Sequence, residues 1–252
     1  MNWKQLLCEE RIPPNKNKKT QYRTEIESDY NRIITSAALR RLQDKTQVFP
    51  LDSSDFVRTR LTHSLEVASL AKFIGKQICE EIEKTEEIDT HAVLEILNCA
   101  SLLHDIGNPP FGHFGEQAIR KWFSDNLNKL EYNGIKVYDL LDEQQREDLL
   151  NYEGNAQALR IVTKLHSFNG KNGMHLTAAV LDTIIKYPVN SLEKKEEDKK
   201  LKENRKFIAK KIGYYQSEET IFQEIKQNTG TFGCRHPLTF ILEAADDLAY
   251  TF

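Results

Sequence analysis

A histidine and an aspartate lie side by side at the end of a strongly apolar segment. The run from Leu94 to Leu103 is apolar almost all round, which is typical of a helix inside an all-helical core, and it leads directly into His104 and Asp105. Gly107 and the two prolines that follow favour a helix end. An imidazole and a carboxylate at the end of a buried helix are costly to desolvate unless a charged group meets them. A metal ion is the simplest such partner.

Two distant segments offer further ligands for that metal. His63 lies in the first turn of a predicted helix with apolar residues at three- and four-residue spacings, and Asp246 lies in another apolar helix. The predicted ligands are two imidazoles and two carboxylates, from His63, His104, Asp105 and Asp246. Such a set favours one divalent ion, Mn²⁺ or Mg²⁺ first, and also suits Fe²⁺, Co²⁺, Ni²⁺ or Zn²⁺. Any one of these residues alone is more simply an ordinary polar side chain at a helix end, and Asp247 competes with Asp246.

The order of these residues on three separate helices resembles the HD superfamily of metal-dependent phosphohydrolases. Five blocks in sequence order resemble its deoxyguanosine triphosphate triphosphohydrolase (dGTPase) branch: RTRLTHS, LLHDIGNPPFGHFGE, YEGNAQALR, IIKYP and HPLTFILEAADDLAY. The resemblance implies an all-α HD-domain helical bundle with the metal site between core helices. It also implies a dNTP substrate, with dGTP favoured, and Asp246 as the ligand in preference to Asp247.

His113 and Glu116 form a second pair of interest. Three residues apart at the start of a predicted helix, they share a face and can hydrogen-bond through one ring nitrogen. A carboxylate behind an imidazole raises its basicity, which suits a proton donor near neutral pH. Glu116 alone is also explained as a first-turn glutamate favoured by the helix dipole. The resemblance implies that both residues are catalytic.

Basic and polar residues near the predicted metal site are candidates for holding phosphate. Arg60 lies one helical turn before His63, where a guanidinium can hold a phosphate oxygen with two donors; the alternative is a surface ion pair. Lys186 and Tyr187 resemble the family's triphosphate-binding pair, although a helix ending in lysine is unremarkable by itself. The resemblance places Asn155 in the same pocket, and helix capping is an equally good use for it.

Gln47 and Tyr250 are the candidates for binding the sugar. Tyr250 follows Asp246 by one helical turn, so its ring is expected beside the metal, packed on a deoxyribose with no room for a 2′-hydroxyl. Gln47 resembles the family's glutamine that hydrogen-bonds the 3′-hydroxyl, whereas a loop glutamine is ordinarily solvated. With these contacts the expected reaction converts dGTP and water to deoxyguanosine and tripolyphosphate.

Composition excludes several other classes of protein. The 252 residues include 35 Lys and Arg against 38 Asp and Glu, so the net charge of −3 does not predict non-specific nucleic-acid binding. Nothing in the sequence supports single-stranded DNA as an effector, as in some relatives. No apolar run reaches the length of a membrane span, and the four cysteines lack metal-site or disulfide spacing. We therefore predict a soluble, cytoplasmic protein with reduced thiols.

The expected organisation is an N-terminal arm followed by one domain. Residues 1–27 are predicted to be a short helix and an extended arm with a basic cluster at 15–19, and residues 28–252 the HD domain, whose first helix starts at Ser28. Helices are also predicted over 154–168 and 176–187, with a small hairpin near 170–175. Residues 191–206 are predicted to be a solvated, mixed-charge loop or helix insertion. Because the chain ends six residues after Asp246, we expect the C-terminal part of the family fold to be absent from it.

Two other functions are compatible with the same residues. One is a different HD-type nucleotide phosphohydrolase, such as a broad dNTPase or a 5′-nucleotidase. The other is a non-catalytic, nucleotide-binding regulatory subunit. The family resemblance also implies a homo-oligomer, commonly a hexamer.

Overall fold

The computed structural model describes residues 2–14, 22–49, 54, 56–168, 171–200 and 207–251. Within these ranges the chain forms thirteen α-helices and two short antiparallel hairpins, which confirms the all-α fold. The first six helices are α1 (Trp3–Leu6), α2 (Glu25–Ile34), α3 (Ala37–Arg40), α4 (Arg60–Ile82), α5 (Thr90–Leu103) and α6 (Gly112–Asn126). The others are α7 (Val137–Leu140), α8 (Glu143–Leu150), α9 (Gly154–Arg160), α10 (Ala178–Thr183), α11 (Ser191–Asp198), α12 (Glu219–Thr229) and α13 (Pro237–Ala249). Strands β1 (Glu131–Tyr132) and β2 (Ile135–Lys136) pair with each other, as do β3 (Ser167–Phe168) and β4 (Lys171–Asn172).

Helix α5 is the centre of the core. Helices α2, α4, α10 and α13 all pack against it, and its residues from Cys99 to Leu103 are buried without interruption. Asp89 caps its first turn by accepting a hydrogen bond from the backbone N–H of Ala92 at 2.9 Å. Because neighbouring helices cover α5 on several sides, the helix can be apolar almost all round, as the sequence predicted.

Two capping residues fix the helices that flank α5. Thr59 and Thr62 form a reciprocal capping box at the start of α4. His236 caps α13, with Pro237 in the first turn, and its Nδ1 accepts a hydrogen bond from the N–H of Leu238 at 3.2 Å. His236 is fully buried, and its role in the fold is structural.

The predicted start of the first long helix is wrong by three residues. Helix α2 begins at Glu25, because Thr24 and Glu27 form a capping box that the assignment of the cap to Ser28 overlooked. A second capping residue, Ser36, accepts a hydrogen bond from the backbone of the next turn and starts α3. The segment from Glu25 to Arg40 therefore forms two helices, α2 and α3.

Part of the segment predicted to be an N-terminal arm is packed into the domain. The short first helix is present as α1, but Arg11 and Ile12 are both buried after it. Arg11 bonds the Asp29 carboxylate at 2.6 Å and also contacts Glu25 of α2. Its backbone forms an isolated β-bridge with Thr177. The basic cluster at 15–19 lies outside the described residues.

The helices predicted over 154–168 and 176–187 are shorter than expected. Helix α9 ends at Arg160 and continues only as a π-helical turn, Ile161–Leu165, before the hairpin of β3 and β4. The predicted hairpin thus exists but lies a few residues earlier, and its tip at 169–170 is outside the described residues. Helix α10 spans only Ala178–Thr183. As a consequence, Lys186 and Tyr187 lie in the turn that follows α10, not on the helix.

The first residues of the mixed-charge segment form a helix that packs against α8. Asn190 caps α11, and the Ser191 hydroxyl donates a hydrogen bond to the Asp148 carboxylate at 2.5 Å. Lys195 pairs with Glu143 at 3.0 Å and with Glu147 at 2.8 Å, both on α8. The predicted insertion is therefore a helix that contacts α8, while its residues 201–206 lie outside those described.

The four cysteines, Cys8, Cys79, Cys99 and Cys234, form no disulfide within the described residues. Cys79 and Cys99 are buried, and burial raises the pKa of both thiols, which makes them poor nucleophiles. Among the helices that the structure describes, none has both the length and the apolar composition needed to cross a bilayer.

A buried ion pair joins helix α10 to helix α12. Lys226 Nζ is 2.5 Å from Asp182 Oδ1, and the hydroxyls of Thr229 and Thr231 donate to Asp182 Oδ2. We expect Lys226→Met to lower the free energy of unfolding by about 3–5 kcal/mol, because it leaves a buried carboxylate without its cation. Urea denaturation measures this loss. Lys121→Met, which breaks a surface pair, is the control and should cost far less; equal losses would contradict the prediction.

Candidate active site

Three helices bring His63, His104 and Asp246 together. Asp246 Oδ1 of α13 is 2.9 Å from Nε2 of His63 on α4 and 3.6 Å from Nε2 of His104 at the end of α5. One potential ligand atom from each residue lies within 4.8 Å of the other two. The His63 side chain is 1% exposed and that of Asp246 is 23% exposed, so the cluster opens to solvent on the aspartate side.

The hydrogen bonds of His104 fit a metal ligand. Its Nδ1 lies 2.6 Å from the carbonyl oxygen of Ser101, to which it donates. Its Nε2 is buried and has no hydrogen-bond partner within the described residues. Metal-binding histidines commonly donate one ring N–H to a carbonyl or carboxylate and present the other nitrogen to the ion. The unpartnered nitrogen is therefore explained if a cation binds between the three residues.

Asp105, the fourth predicted ligand, lies at the edge of this cluster. Its Oδ1 is 3.7 Å from His104 Nε2, while its two oxygens accept hydrogen bonds from Arg60 at 2.6 Å and Asn108 at 2.5 Å. A carboxylate oxygen that accepts one hydrogen bond retains a further lone pair. The structure therefore places Asp105 beside the other three residues, and its role as a ligand stays a prediction. Asp247, the rival of Asp246, lines the adjacent cavity without belonging to the cluster.

The charges of this cluster perturb the pKa values of two of its members. Burial lowers the pKa of His104, but the charge of Asp105 and the interactions with Asp246 and the Ser101 carbonyl outweigh it and raise that pKa to about 9. Burial likewise raises the pKa of Asp246, but its contacts with His104 and His63 hold it well below its usual range. Without metal, His104 is therefore protonated and Asp246 is ionised at neutral pH.

Metal binding at this cluster should depend on pH, because the ion has to displace the proton of His104. One displaced proton makes the apparent affinity for Mn²⁺ rise about tenfold per pH unit between pH 7 and about 9. In the metal-free protein the same proton stabilises the fold fully below pH 6.5, and this stabilisation is lost as the pH rises through about 9. Calorimetric titration with Mn²⁺ at several pH values measures the slope. A pH-independent affinity would contradict the assignment of His104 as a ligand.

His113 and Glu116 meet at the start of α6, as their spacing predicted. The helix begins at Gly112 after Phe111; both residues have positive φ, and a Cβ at Gly112 would lie 2.5 Å from Arg60 Nη2. His113 Nδ1 is 2.9 Å from Glu116 Oε2. The imidazole is 75% exposed and the carboxylate only 2%. A buried carboxylate thus orients an accessible histidine.

Glu116 is held from its other side as well. Its Oε1 accepts a hydrogen bond from the backbone N–H of Gly154 at 2.8 Å, and Arg120 lies 3.7 Å from its Oε2. A Cβ at Gly154 would lie 2.1 Å from Asn108 Oδ1 and 2.9 Å from Glu116 Oε1. Glycine is therefore required for the close approach of α9 to this carboxylate. The helix dipole, the alternative explanation for Glu116, does not account for these specific contacts with Gly154 and Arg120.

A cavity of about 530 Å³ lies over the cluster of His63, His104 and Asp246. Ten of the twelve predicted site residues line it: Gln47, Arg60, His104, Asp105, His113, Asn155, Lys186, Tyr187, Asp246 and Tyr250. The other two, His63 and Glu116, are buried behind lining residues that they contact. Residues from six separate segments of the chain therefore converge on one concave site.

The structure decides between the alternatives for Arg60 and Asn155. Arg60 is buried and pairs with Asp105, so the surface ion pair is excluded; that role belongs to Arg58, which contacts Glu66 at 3.3 Å. Asn155 does not cap α9, because it lies inside the helix and donates a hydrogen bond to Glu153 at 2.8 Å. Both residues face the cavity.

The two predicted sugar-binding residues contact each other. Gln47 Nε2 donates a hydrogen bond to the Tyr250 hydroxyl at 2.6 Å, and the Tyr250 ring centroid is 5.1 Å from that of His63. Gln47 Oε1 is buried and lacks a hydrogen-bond partner within the described residues. The glutamine is therefore not simply solvated, and one unsatisfied acceptor remains at the cavity wall.

Several residues of the cavity were missed by the sequence analysis. Lys210 and Lys211 line it, and Lys211 Nζ is 2.9 Å from Glu153 Oε1. They follow a long run of lysines and glutamates, so composition could not separate them from solvated neighbours. Asn108, next to the prolines that end the metal-site turn, was also missed, although it orients Asp105.

Similarity to known proteins agrees with this geometry. The HD domain family matches residues 60–183, a range that includes His63, His104, Asp105, His113 and Glu116. A deoxyguanosinetriphosphate triphosphohydrolase-like protein of Listeria innocua is 48% identical over 261 aligned positions, covering 99% of this chain and 54% of the relative. A protein of the same description from Synechocystis is 39% identical, covering 100% of this chain and 58% of the relative.

The chain belongs to the family of HD-domain deoxyguanosinetriphosphate triphosphohydrolase-like proteins. A further relative, the deoxyguanosinetriphosphate triphosphohydrolase of Yersinia enterocolitica, is 38% identical over 89% of this chain and 48% of its own length. The chain therefore spans about half the length of the dGTPase-like relatives that it matches. Family membership supports a hydrolase with a divalent metal site.

Proposed function

We propose that this dGTPase-like chain carries the catalytic site of a metal-dependent dNTP triphosphohydrolase. Its proposed reaction converts dNTP, dGTP above all, and water to a deoxynucleoside and tripolyphosphate. The observation that carries the proposal is the buried, unpartnered Nε2 of His104, which lies between an aspartate and a second histidine below a cavity with a basic wall. The names of the relatives in Listeria and Yersinia support the same substrate class.

The cavity suits a nucleoside triphosphate in size, and cationic groups in its wall can contact the phosphates. Its volume of about 530 Å³ lies within the range of small-molecule sites, roughly 300–1,000 Å³. Four cationic side chains, those of Arg60, Lys186, Lys210 and Lys211, line it. Arg60 also has a buried Nε without a partner in the described part of the chain, so this donor can bind a phosphate oxygen while Nη1 holds Asp105.

His63, His104 and Asp246 would hold the divalent ion, with Asp105 as the predicted fourth ligand. When bound there, the ion would polarise a phosphate oxygen and lower the pKa of a water molecule. Arg60, Lys186 and the neighbouring lysines would orient the triphosphate and offset its charge. Water then adds to the α-phosphorus and the bond from that phosphorus to the 5′-oxygen breaks.

The 5′-oxygen is a poor leaving group unless it is protonated, and His113 is placed to supply the proton. Its Nδ1 is engaged with Glu116, which leaves Nε2 to hand a proton to the departing oxygen. The buried carboxylate fixes the tautomer and the orientation of the imidazole before the transfer. The products are then a neutral deoxynucleoside and intact tripolyphosphate.

Gln47 and Tyr250 would contact the sugar. The buried Gln47 Oε1 has the capacity to accept a hydrogen bond from the 3′-hydroxyl. The Tyr250 ring, held against His63 and bonded to Gln47, would pack on the deoxyribose and leave no space for a 2′-hydroxyl. We therefore expect dGTP to be hydrolysed in preference to GTP.

Product analysis tests this proposal. The purified chain is incubated with each dNTP and Mn²⁺ or Mg²⁺, with a chelator as the control, and the released phosphate species are separated. Tripolyphosphate supports the reaction, whereas pyrophosphate or monophosphate would rule it out in favour of another HD-type phosphohydrolase. Stoichiometric nucleotide binding without turnover would instead favour the regulatory subunit. Homo-oligomerisation stays a prediction that light scattering can test.

A further inference from the structure

Arg235 is a buried arginine that contacts Lys186 directly and also through Glu243. Its Nε donates a hydrogen bond to the carbonyl oxygen of Lys186 at 2.7 Å, and its Nη1 bonds Glu243 Oε2 at 2.8 Å. The other oxygen of Glu243 lies 3.0 Å from Lys186 Nζ. The arginine therefore holds the backbone of the lysine directly and its ammonium group through a shared carboxylate.

Aromatic rings enclose the guanidinium of Arg235. Its central carbon lies 5.6 Å from the ring centroid of Tyr187, 5.1 Å from that of Phe207 and 5.3 Å from that of Phe240. The side chain is 2% exposed, and its Nη2 has no hydrogen-bond partner within the described residues. A planar, weakly hydrated guanidinium suits such a site, because it can face several rings and still direct two donors in a fixed fork.

The position of Lys186 explains why such a support matters. Lys186 follows the end of α10 and lies in a turn, so no regular helix fixes its backbone. Glu243, its partner, also lines the cavity proposed to hold phosphates, where an uncompensated carboxylate would repel a polyanion. Because Arg235 shares the charge of Glu243, one negative group lies between two positive ones. The arrangement as a whole therefore remains cationic, with Lys186 on the cavity side.

We infer that Arg235 is a positioning residue, which fixes Lys186 at the cavity wall through the lysine carbonyl and Glu243 so that its ammonium group meets the phosphates of the ligand. The inference rests on the proposed function only for the identity of that ligand. Arg235 does not line the cavity and acts through Lys186. Loss of the two-point contact should therefore weaken phosphate binding without removing the metal cluster.

A pair of matched variants tests this inference with inorganic tripolyphosphate as the probe. Arg235→Lys keeps the charge but cannot reach both partners with the same geometry. Arg11→Lys is the control, because Arg11 is equally buried and also bonds a carboxylate and backbone carbonyl oxygens, but its partners Asp29 and Glu25 do not line the cavity. Calorimetry should show at least about tenfold weaker tripolyphosphate binding for Arg235→Lys and less than about threefold for Arg11→Lys, although both lower the melting temperature.

The same binding measurement in a Lys186→Met background shows whether Arg235 acts through Lys186. If Arg235 acts through Lys186, Arg235→Lys should cause no further loss there. Arg235→Gln, which retains one amide donor, serves as the second variant where Arg235→Lys does not fold. Unchanged binding in a folded Arg235 variant, an undiminished effect in the Lys186→Met background, or a wild-type chain that does not bind tripolyphosphate would each overturn the inference. A chain that binds tripolyphosphate but does not release it from dNTPs would overturn only the proposed function.

Discussion

Asp246→Asn should remove most of the divalent-metal binding proposed for this protein, together with the proposed hydrolase activity. Asp246 is the only carboxylate among the described residues that belongs to the three-residue ligand cluster, and its Oδ1 approaches both imidazoles. An amide preserves the shape of the side chain but removes the negative charge that attracts the ion. Loss of an outer partner of a metal ligand costs about 10- to 100-fold in affinity, so loss of the ligand itself should cost more than about 100-fold.

Asp247→Asn is the matched control for this prediction. Asp247 is the next residue on α13 and lines the same cavity, but it does not belong to the cluster, so metal affinity should change by less than about threefold. Elemental analysis after dialysis and titration with Mn²⁺ measure both variants. The reverse result, with Asp247→Asn losing the metal and Asp246→Asn retaining it, would exchange the two assignments and contradict the geometry described above.

The order of His63, His104 and Asp246 and its resemblance to the HD superfamily predicted that these residues would lie together, and the structure brings them together from positions at or near helix ends. His104 follows an apolar helix that Gly107 and two prolines bring to an end, and His63 follows a threonine capping box. Helices α4 and α13, which carry His63 and Asp246, pack against α5, and this brings their side chains close to His104. The spacing of His113 and Glu116 likewise fixes their contact within one turn of α6.

Supporting contacts between distant segments were not predictable in the same way. Arg235 reaches a carbonyl oxygen 49 positions earlier in the chain, and nothing in the local pattern around it indicates that partner. Lys211 is similar, because only the fold places it beside Glu153, 58 positions earlier, and not among the solvated lysines before it. The start of α2 differs from the prediction for a simpler reason. The capping box of Thr24 and Glu27 is a local signal that lies before the predicted start at Ser28.

His113→Ala should reduce dNTP hydrolysis by about 10²- to 10⁴-fold, which is the usual contribution of a general acid. The loss should depend on the leaving group, because a proton donor matters only where the departing oxygen is a strong base. With a nitrophenyl phosphodiester, whose phenolate leaves without protonation, the same variant should retain most of the wild-type rate. Glu116→Gln should have an activity between those of the wild type and His113→Ala, because the imidazole remains but its tautomer is no longer fixed by a carboxylate.

The comparison of the two substrates separates proton donation from binding. His113 is exposed and lines the cavity, so its removal could also weaken contact with the triphosphate; such a loss would appear in KM and not in kcat. Calorimetric measurement of tripolyphosphate binding to His113→Ala tests directly whether His113 contributes to phosphate binding. A variant that loses both substrates equally in kcat would mean that His113 does not protonate the leaving group. In that case the buried Glu116 would orient a binding residue, and the 5′-oxygen would have to take its proton from another group at the cavity wall.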